Sequence, residues 1–213
     1  SALAIPLGQR KSLLCRSAKG YVAMKHYYIR YEPKAEINYI YLLYLYSLGE
    51  YNTTKKCFDT ISYSSIRALE KAIADRFGKG SISVSGISRM MNDERYREYF
   101  SVDKEKKVIS LNNDIRGMNS FVMLSSSEVD FLLSEKDNLL VKYFLYIKHF
   151  CGKEQKQDFT IKQFLSYCGY SDKSNSYTSK ISGFNKLLQD KGMIKIDTYR
   201  DTLGHTRNIY SLL

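Results

Sequence analysis

The most regular pattern of apolar and polar positions lies within residues 158–210, where the apolar residues recur at helical spacing and predict two helices. Thr160 and Gln163 stand three residues apart, so that each side chain can cap the other's backbone donor at the start of a first helix. Gly169 ends that helix. A second, longer helix is predicted from one apolar stripe that stops before Gly192. Its members are Tyr177, Ile181, Phe184, Leu187 and Leu188.

Two short apolar runs follow, at residues 193–196 and 208–212, and they predict a hairpin whose tip is residues 199–207. Two helices and a hairpin, in that order, are typical of a winged-helix domain, whose second helix enters the major groove of DNA. The outer face of the second helix carries small and cationic residues and no acid, which favours DNA contact. The candidate DNA contacts are Lys173, Asn175, Ser176, Ser179, Lys180 and Lys186 on or before the helix, and Arg200, His205 and Arg207 at the tip.

The first half of the chain begins with a comparable pattern. Residues 21–31 are rich in β-forming side chains and predict a strand, and residues 36–48 predict a largely buried helix. Residues 52–60 are interpreted as a polar linker or a short helix. Serines up to Ser65 then cap a helix that reaches Phe77. On its outer face Ser65, Arg67 and Lys71 are candidate DNA contacts, although Glu70 and Asp75 share the helix and weaken that indication.

The pattern after Phe77 is less regular. Residues 81–85 predict a strand, and residues 87–99 predict a helical insert of mixed charge. Residues 100–102 and 108–111 predict the strands of a charged hairpin. The polar residues 112–119 mark the domain boundary.

The second half opens with a predicted strand at residues 121–124, helix-start residues from Ser125 to Glu128, and a long helix at residues 138–150. Both halves therefore share one order of elements. We predict a helix-rich α+β fold of two tandem winged-helix domains, with a basic arm at residues 1–20, a first domain at 21–117 and a second at 118–213.

The charge of the chain favours a polyanionic partner. The net charge is +11, and residues 1–30 contribute six basic groups and no acid. Arg10, Lys11 and Arg16 are therefore candidate phosphate contacts, with a solvated tail as the alternative. No apolar run is long enough for a membrane helix and no signal-peptide pattern is present, so we expect a cytoplasmic protein with no membrane partner.

The residue types that carry catalysis or metal binding are sparse and scattered. Four cysteines lie far apart without a CxxC pair, and the three histidines are isolated, so we expect no metal, no disulfide framework and no cofactor. No phosphate-binding glycine loop is present. The 19 tyrosines could include a nucleophile, but core packing explains them better. We expect no enzyme.

The turn Tyr167-Cys168-Gly169-Tyr170-Ser171, between the two helices of residues 160–192, resembles that of winged-helix modules in plasmid and phage replication initiators. The tandem layout of residues 21–213 is similar to that of the Rep family. The resemblance implies binding to repeated duplex sites at the replication origin of a mobile element, and self-repression as a homodimer.

Three hypotheses remain open. The first is a replication initiator that binds double-stranded DNA in a sequence-specific manner. The second is a transcriptional regulator with the same helices. The third is a docking module that recruits a replicative helicase or its loader through tyrosine-rich faces, because winged helices also bind proteins. The sequence leaves the role of residues 87–99 and the oligomeric state undecided.

Overall fold

The computed structural model describes residues 14–17, 20–23, 26–32, 36–52, 57–112, 121–152, 156–171 and 175–213. Within these ranges the chain forms seven α-helices and four small antiparallel sheets, so the α+β prediction is confirmed. None of the described helices combines the length and the apolar character that a membrane span requires.

The elements fall into a first half, residues 14–112, and a second half, residues 121–213. The first half contains β1 (Leu14–Ser17), β2 (Gly20–Ala23), β3 (His26–Arg30), α1 (Tyr39–Ser47), β4 (Glu50–Asn52), β5 (Cys57–Ser62), α2 (Ile66–Phe77), α3 (Val84–Asn92), a 3-10 helix (Glu94–Tyr96), β6 (Phe100–Asp103) and β7 (Val108–Leu111). The second half contains β8 (Phe121–Ser125), α4 (Ser126–Glu135), α5 (Asn138–Cys151), β9 (Gln157–Asp158), α6 (Ile161–Tyr167), α7 (Asn175–Asp190), β10 (Ile194–Arg200) and β11 (Thr206–Leu212).

The same topology occurs in both halves. A long helix (α1 or α5) is followed by a strand, two helices and a hairpin. In each half the strand before the helix pair lies antiparallel to the last strand of the hairpin, β5 on β7 and β9 on β11. The sheet orders are β4-β5-β7-β6 and β10-β11-β9. The first half differs in having β4 before β5, and its helix pair is α2 and α3, where the sequence predicted residues 52–60 as a linker or short helix and residues 81–85 as a strand.

The first strands of the two halves pair with each other. β3 and β8 form an antiparallel ladder in which Tyr28 is opposite Met123. On one face of this ladder Tyr27 and Ile29 are buried, together with Leu124 opposite Tyr27. Because each strand leads into its own half and then pairs with the other, the ladder joins the two halves.

One hydrophobic core extends through both halves and encloses α1. Eight of the nine residues of α1 are buried, as expected for a helix that is apolar on all sides. The hydroxyls of its three buried tyrosines, Tyr39, Tyr44 and Tyr46, are bonded inside the core. Tyr46 donates to the carbonyl of Tyr99 at 2.8 Å, and the Tyr39 hydroxyl lies 3.2 Å from that of Tyr99.

Three predicted helix starts are confirmed. Thr160 and Gln163 form a reciprocal capping box at α6, and Ser125 and Glu128 form another at α4. Ser65 accepts a hydrogen bond from the backbone N–H of Ala68 at the start of α2. These caps depend only on neighbouring residues, and their signal is therefore readable in sequence.

Three predictions of local structure are wrong. Residues 81–85 do not form a strand, because Ser83 caps α3 and the helix begins at Val84. Residues 57–60 belong to β5, which pairs with β7, and not to a linker or helix. The strands β10 and β11 extend to Arg200 and Thr206, which shortens the hairpin tip to residues 201–205. The proposed domain boundary lies almost entirely outside the described residues.

We expect Asn138→Ala to destabilise the whole chain. The Asn138 side-chain oxygen accepts from the backbone N–H of Tyr39 at 2.7 Å and thus caps α1 from the other half. Removing a cap of this kind costs about 1 kcal/mol, or about 2–4 °C in the melting temperature of a chain of this size. Thermal unfolding followed by circular dichroism measures the change.

Asn138→Asp is the matched control, since aspartate keeps the acceptor oxygen at a helix N-terminus. Its melting temperature should stay close to that of the wild type. Equal stability of wild type and Asn138→Ala would contradict a role for this contact in joining the halves.

Candidate nucleic-acid interface

Helix α7 is held in the second half by its inner face. Ile181, Phe184 and Leu188 are buried. Asn185 accepts from the Tyr143 hydroxyl at 2.7 Å and donates to the Tyr210 hydroxyl at 3.2 Å. These bonds fasten α7 to α5 and to β11, and the opposite face of the helix stays exposed.

Helix α3 holds the corresponding place in the first half. Ile87 and Met90 are buried, and Gly86 faces the ring of Tyr41, the third residue of α1. A Cβ atom on Gly86 would lie 3.1 Å from that ring, a tight contact, so glycine favours the close approach of α3 to α1. Residues 87–92, predicted as part of an insert, are thus part of the second helix of a pair.

The two helices share a short sequence pattern when their buried isoleucines, Ile87 and Ile181, are superposed. The segment Ser85-Gly86-Ile87-Ser88-Arg89-Met90 then matches Ser179-Lys180-Ile181-Ser182-Gly183-Phe184. Both serines and the isoleucine are identical, and the last residue is apolar and buried in each. Positions i, i+4 and i+7 opposite the buried face form what we call the outer stripe. It consists of Ser85, Arg89 and Asn92 on α3 and of Ser179, Gly183 and Lys186 on α7, all exposed.

The helices that precede them also correspond. Ser65 caps α2 and Thr160 caps α6, and each cap is followed by an isoleucine and then by a basic residue. Those basic residues, Arg67 and Lys162, are exposed and form no ion pair with any described residue. Each therefore places a free cation at the start of the first helix of its pair.

Contacts link α3 and α7 to one junction between the two halves. Gly86 of α3 packs on Tyr41 in the first turn of α1. The first turn of α1 is bonded to Asn138, the first residue of α5. Asp137, which caps α5, forms an ion pair with Lys180 of α7 at 2.6 Å. Both helices therefore lie against the joined N-termini of α1 and α5.

The predicted contacts on α7 differ in their surroundings. Ser176, Ser179 and Lys186 are exposed, and Lys186 forms no ion pair with a described residue. Lys180 is turned aside, because it pairs with Asp137 and its ammonium lies 5.8 Å from the ring centre of Phe184. Asn175 begins the helix. Lys173 lies outside the described residues.

The hairpin tip of the second half is organised by Asp201. Its carboxylate accepts from the backbone N–H groups of Leu203 and His205 and from Nε of Arg207 at 3.0 Å. His205 also approaches it, with Nδ1 at 3.5 Å. The positive charge of Arg207 is thus compensated locally. Arg200 is exposed and forms no ion pair with a described residue.

The predicted DNA contacts of the first half do not lie on α3, the second helix of its pair. Ser65, Arg67 and Lys71 lie on α2, where Ser65 is occupied as a cap and Lys71 pairs with Asp75 at 3.5 Å. Arg16 falls in β1. Arg10 and Lys11 lie outside the described residues.

Sequence reasoning missed four residues of α3, the exposed Ser85, Arg89 and Asn92 and the half-buried Ser88, and one exposed residue of α6, Lys162. The repeated Ser-x-Ile-Ser pattern in residues 85–88 and 179–182 could have found them. Among arginines whose side chains are described, those without an ion pair are Arg67, Arg89 and Arg200; the rest pair with carboxylates.

Metal-ligating side chains are not clustered in the described residues. No three His, Cys, Asp or Glu side chains there lie close enough to hold a metal ion. Burial raises the pKa of Cys151 and of Cys168 to about 11, which keeps both thiols protonated at neutral pH. The exposed face offers hydroxyl, amide and cationic groups, which can bind an anionic ligand by hydrogen bonds and charge.

Comparisons of the chain with protein families, with characterised proteins and with solved structures give no match. The resemblance to the Rep family therefore stays a prediction. Function is inferred from the correspondence between the helix pairs α2–α3 and α6–α7.

We expect the hairpin tip to loosen at low pH. Partial desolvation of the Asp201 carboxylate favours its neutral form, but the hydrogen bonds from Arg207, His205 and Leu203 outweigh this and lower its pKa. A carboxyl with a lowered pKa stabilises the fold above its unfolded-state pKa of about 4, and the contribution is lost as pH falls through the folded value. Amide exchange at Leu203 and His205, measured by NMR across that range, should accelerate relative to the strand amides.

Asp201→Asn at neutral pH serves as the comparison, since it removes the charge and keeps the shape. It should reproduce the fast exchange of the acidified wild type. An Asp201 carboxyl that titrates above the ordinary aspartate value would rule out this account of the tip.

Proposed function

We propose that the chain is a sequence-specific double-stranded DNA-binding protein with two winged-helix units, one in each half. In this proposal α3 and α7 enter the major groove and the hairpins β6–β7 and β10–β11 act as wings. The second helix of such a unit is the element that reads bases in known winged-helix and helix-turn-helix proteins.

The observation that carries the proposal is that α3 and α7 share serines outside the core as well as buried residues. If the two helix pairs served only to fill the core, only their buried residues would need to be alike. Here serines outside the core match as well: Ser85 with Ser179, both exposed, and the half-buried Ser88 with the exposed Ser182. Serine hydroxyls hydrogen-bond to base edges and to phosphates, and both stripes lack carboxylates.

Exposed basic side chains without a described carboxylate partner also support DNA binding. Arg67 and Lys162 stand at equivalent helix starts, and Arg89, Lys186 and Arg200 are exposed without carboxylate partners among the described residues. Unpaired cations are the groups that can neutralise phosphates without first breaking an ion pair. Lys180 and Arg207, which are paired, would act by positioning Asp137 and Asp201.

Within this class we propose a replication initiator that binds repeated origin sites of a mobile element. The support is the tandem layout of two such units in one chain, which is the Rep-like feature. A transcriptional regulator would use the same helices. A selection of binding sites from random duplexes, followed by inspection of the DNA beside the coding region for direct repeats of the selected site, separates these functions.

We expect Arg67→Ala combined with Lys162→Ala to weaken binding to all duplexes by a similar factor. The two residues are proposed to contact phosphates, so their loss should reduce the slope of log affinity against log salt by about 2. Fluorescence anisotropy on the selected duplex and on a scrambled duplex, at several salt concentrations, measures both slopes.

The charge-matched control is Arg97→Ala combined with Lys195→Ala, because both side chains are already paired, with Glu94 and Asp197. That variant should leave the slope close to the wild-type value. Wild-type protein that binds no duplex even at low salt would overturn the DNA proposal and favour the docking function. Lys180→Glu is a poor test, since it would also break the contact with Asp137.

A further inference from the structure

Gly183 occupies the middle of the outer stripe of α7, and no contact with the described part of the chain explains why a glycine is there. No atom lies within 4 Å of the position that its Cβ would occupy, and the helix is regular through this point. A glycine inside an exposed helix destabilises it relative to alanine, because glycine loses more backbone freedom on folding. The helix is thus less stable than it would be with alanine at position 183, although its packing does not require glycine there.

The other glycines near the two helices have internal reasons. Gly86 of α3 faces Tyr41 and Ser83 at 3.1 and 3.2 Å from its would-be Cβ. Gly169 and Gly192, before and after α7, have positive φ angles of 75° and 66°. Gly183 has neither a close neighbour nor a positive φ, so that its missing side chain leaves space only toward the exterior.

The equivalent position on α3 carries the opposite extreme of size. Arg89 stands where Gly183 stands on α7, four residues after the matched serines Ser85 and Ser179. Arg89 is exposed and pairs with no described carboxylate. One stripe therefore projects a long cation at its centre while the other leaves a gap flanked by Ser179 and Lys186.

We infer that Gly183 is the point at which α7 approaches the floor of the DNA major groove most closely, whereas Arg89 reaches the bases from a helix that lies farther out. This inference rests on the proposed function. Backbone that comes close to a ligand has no room for a Cβ atom, which is the usual reason for glycine at such a contact. The two halves then recognise unequal half-sites, and this fixes the orientation of the chain on its DNA.

The test is Gly183→Ala, which should make the protein more stable and a weaker DNA binder at once. Helix propensity should raise the melting temperature by about 2–4 °C. Affinity for the duplex selected by the wild type should fall about tenfold, the size of one lost base contact. The salt slope should stay unchanged, because the substitution removes no charge.

Ser166→Ala is the control for helix propensity, since Ser166 is exposed on α6 and lies off the outer stripe. It should change affinity little. Gly183→Arg, which copies the first half, should weaken binding to the selected duplex further than Gly183→Ala. If Gly183→Ala binds that duplex as tightly as the wild type, the inference is wrong while the proposed function stands. If the wild type binds no duplex, both fail.

Discussion

The burial of α1 on all sides is the constraint on which the rest of the molecule depends. A nine-residue helix of tyrosines, leucines and isoleucine cannot be covered by one small helix–hairpin unit. It is covered from both halves. The Tyr44 hydroxyl meets the carbonyl of Leu133 in the second half, while the Tyr46 hydroxyl meets that of Tyr99 in the first. Burial raises the pKa of Tyr39 to about 12, and partners for the buried hydroxyls remove the cost of an unsatisfied polar group.

Further contacts between the halves depend on that shared core. The β3–β8 ladder has only two strands, and an isolated two-stranded ladder is marginally stable in water. It is held because its inner residues pack on the same core as α1. Arg76 then links the halves at the surface, since its guanidinium reaches the carbonyl of Ser47 and the carboxylate of Asp130. These links leave little freedom for one half to move without the other.

The sequence predicted those elements that depend on neighbouring residues, and it missed those that depend on residues far along the chain. The caps at Ser65, Ser125 and Thr160 involve residues three positions apart, and they were found. Strand β5 was missed because its partner, β7, lies far along the chain, with Ile61 opposite Ile109. Helix α3 was predicted only in part: residues 87–92 were expected to be helical, but its start was predicted as a strand, because the cap at Ser83 was not recognised.

In the candidate nucleic-acid interface, too, features set by neighbouring residues were predicted and contacts between distant residues were not. The exposed face of α7 followed from helical spacing, which is local. The ion pair of Lys180 did not, since Asp137 comes from another helix, 43 positions earlier in the sequence. That pair has a consequence for the proposed function. Lys180 ties α7 to the cap of α5, and Gly86 seats α3 on α1, so both helices are positioned by the junction at Tyr39 and Asn138. Two helices on one rigid junction have a set spacing, and specificity then resides as much in the distance between two half-sites as in the bases that each helix contacts.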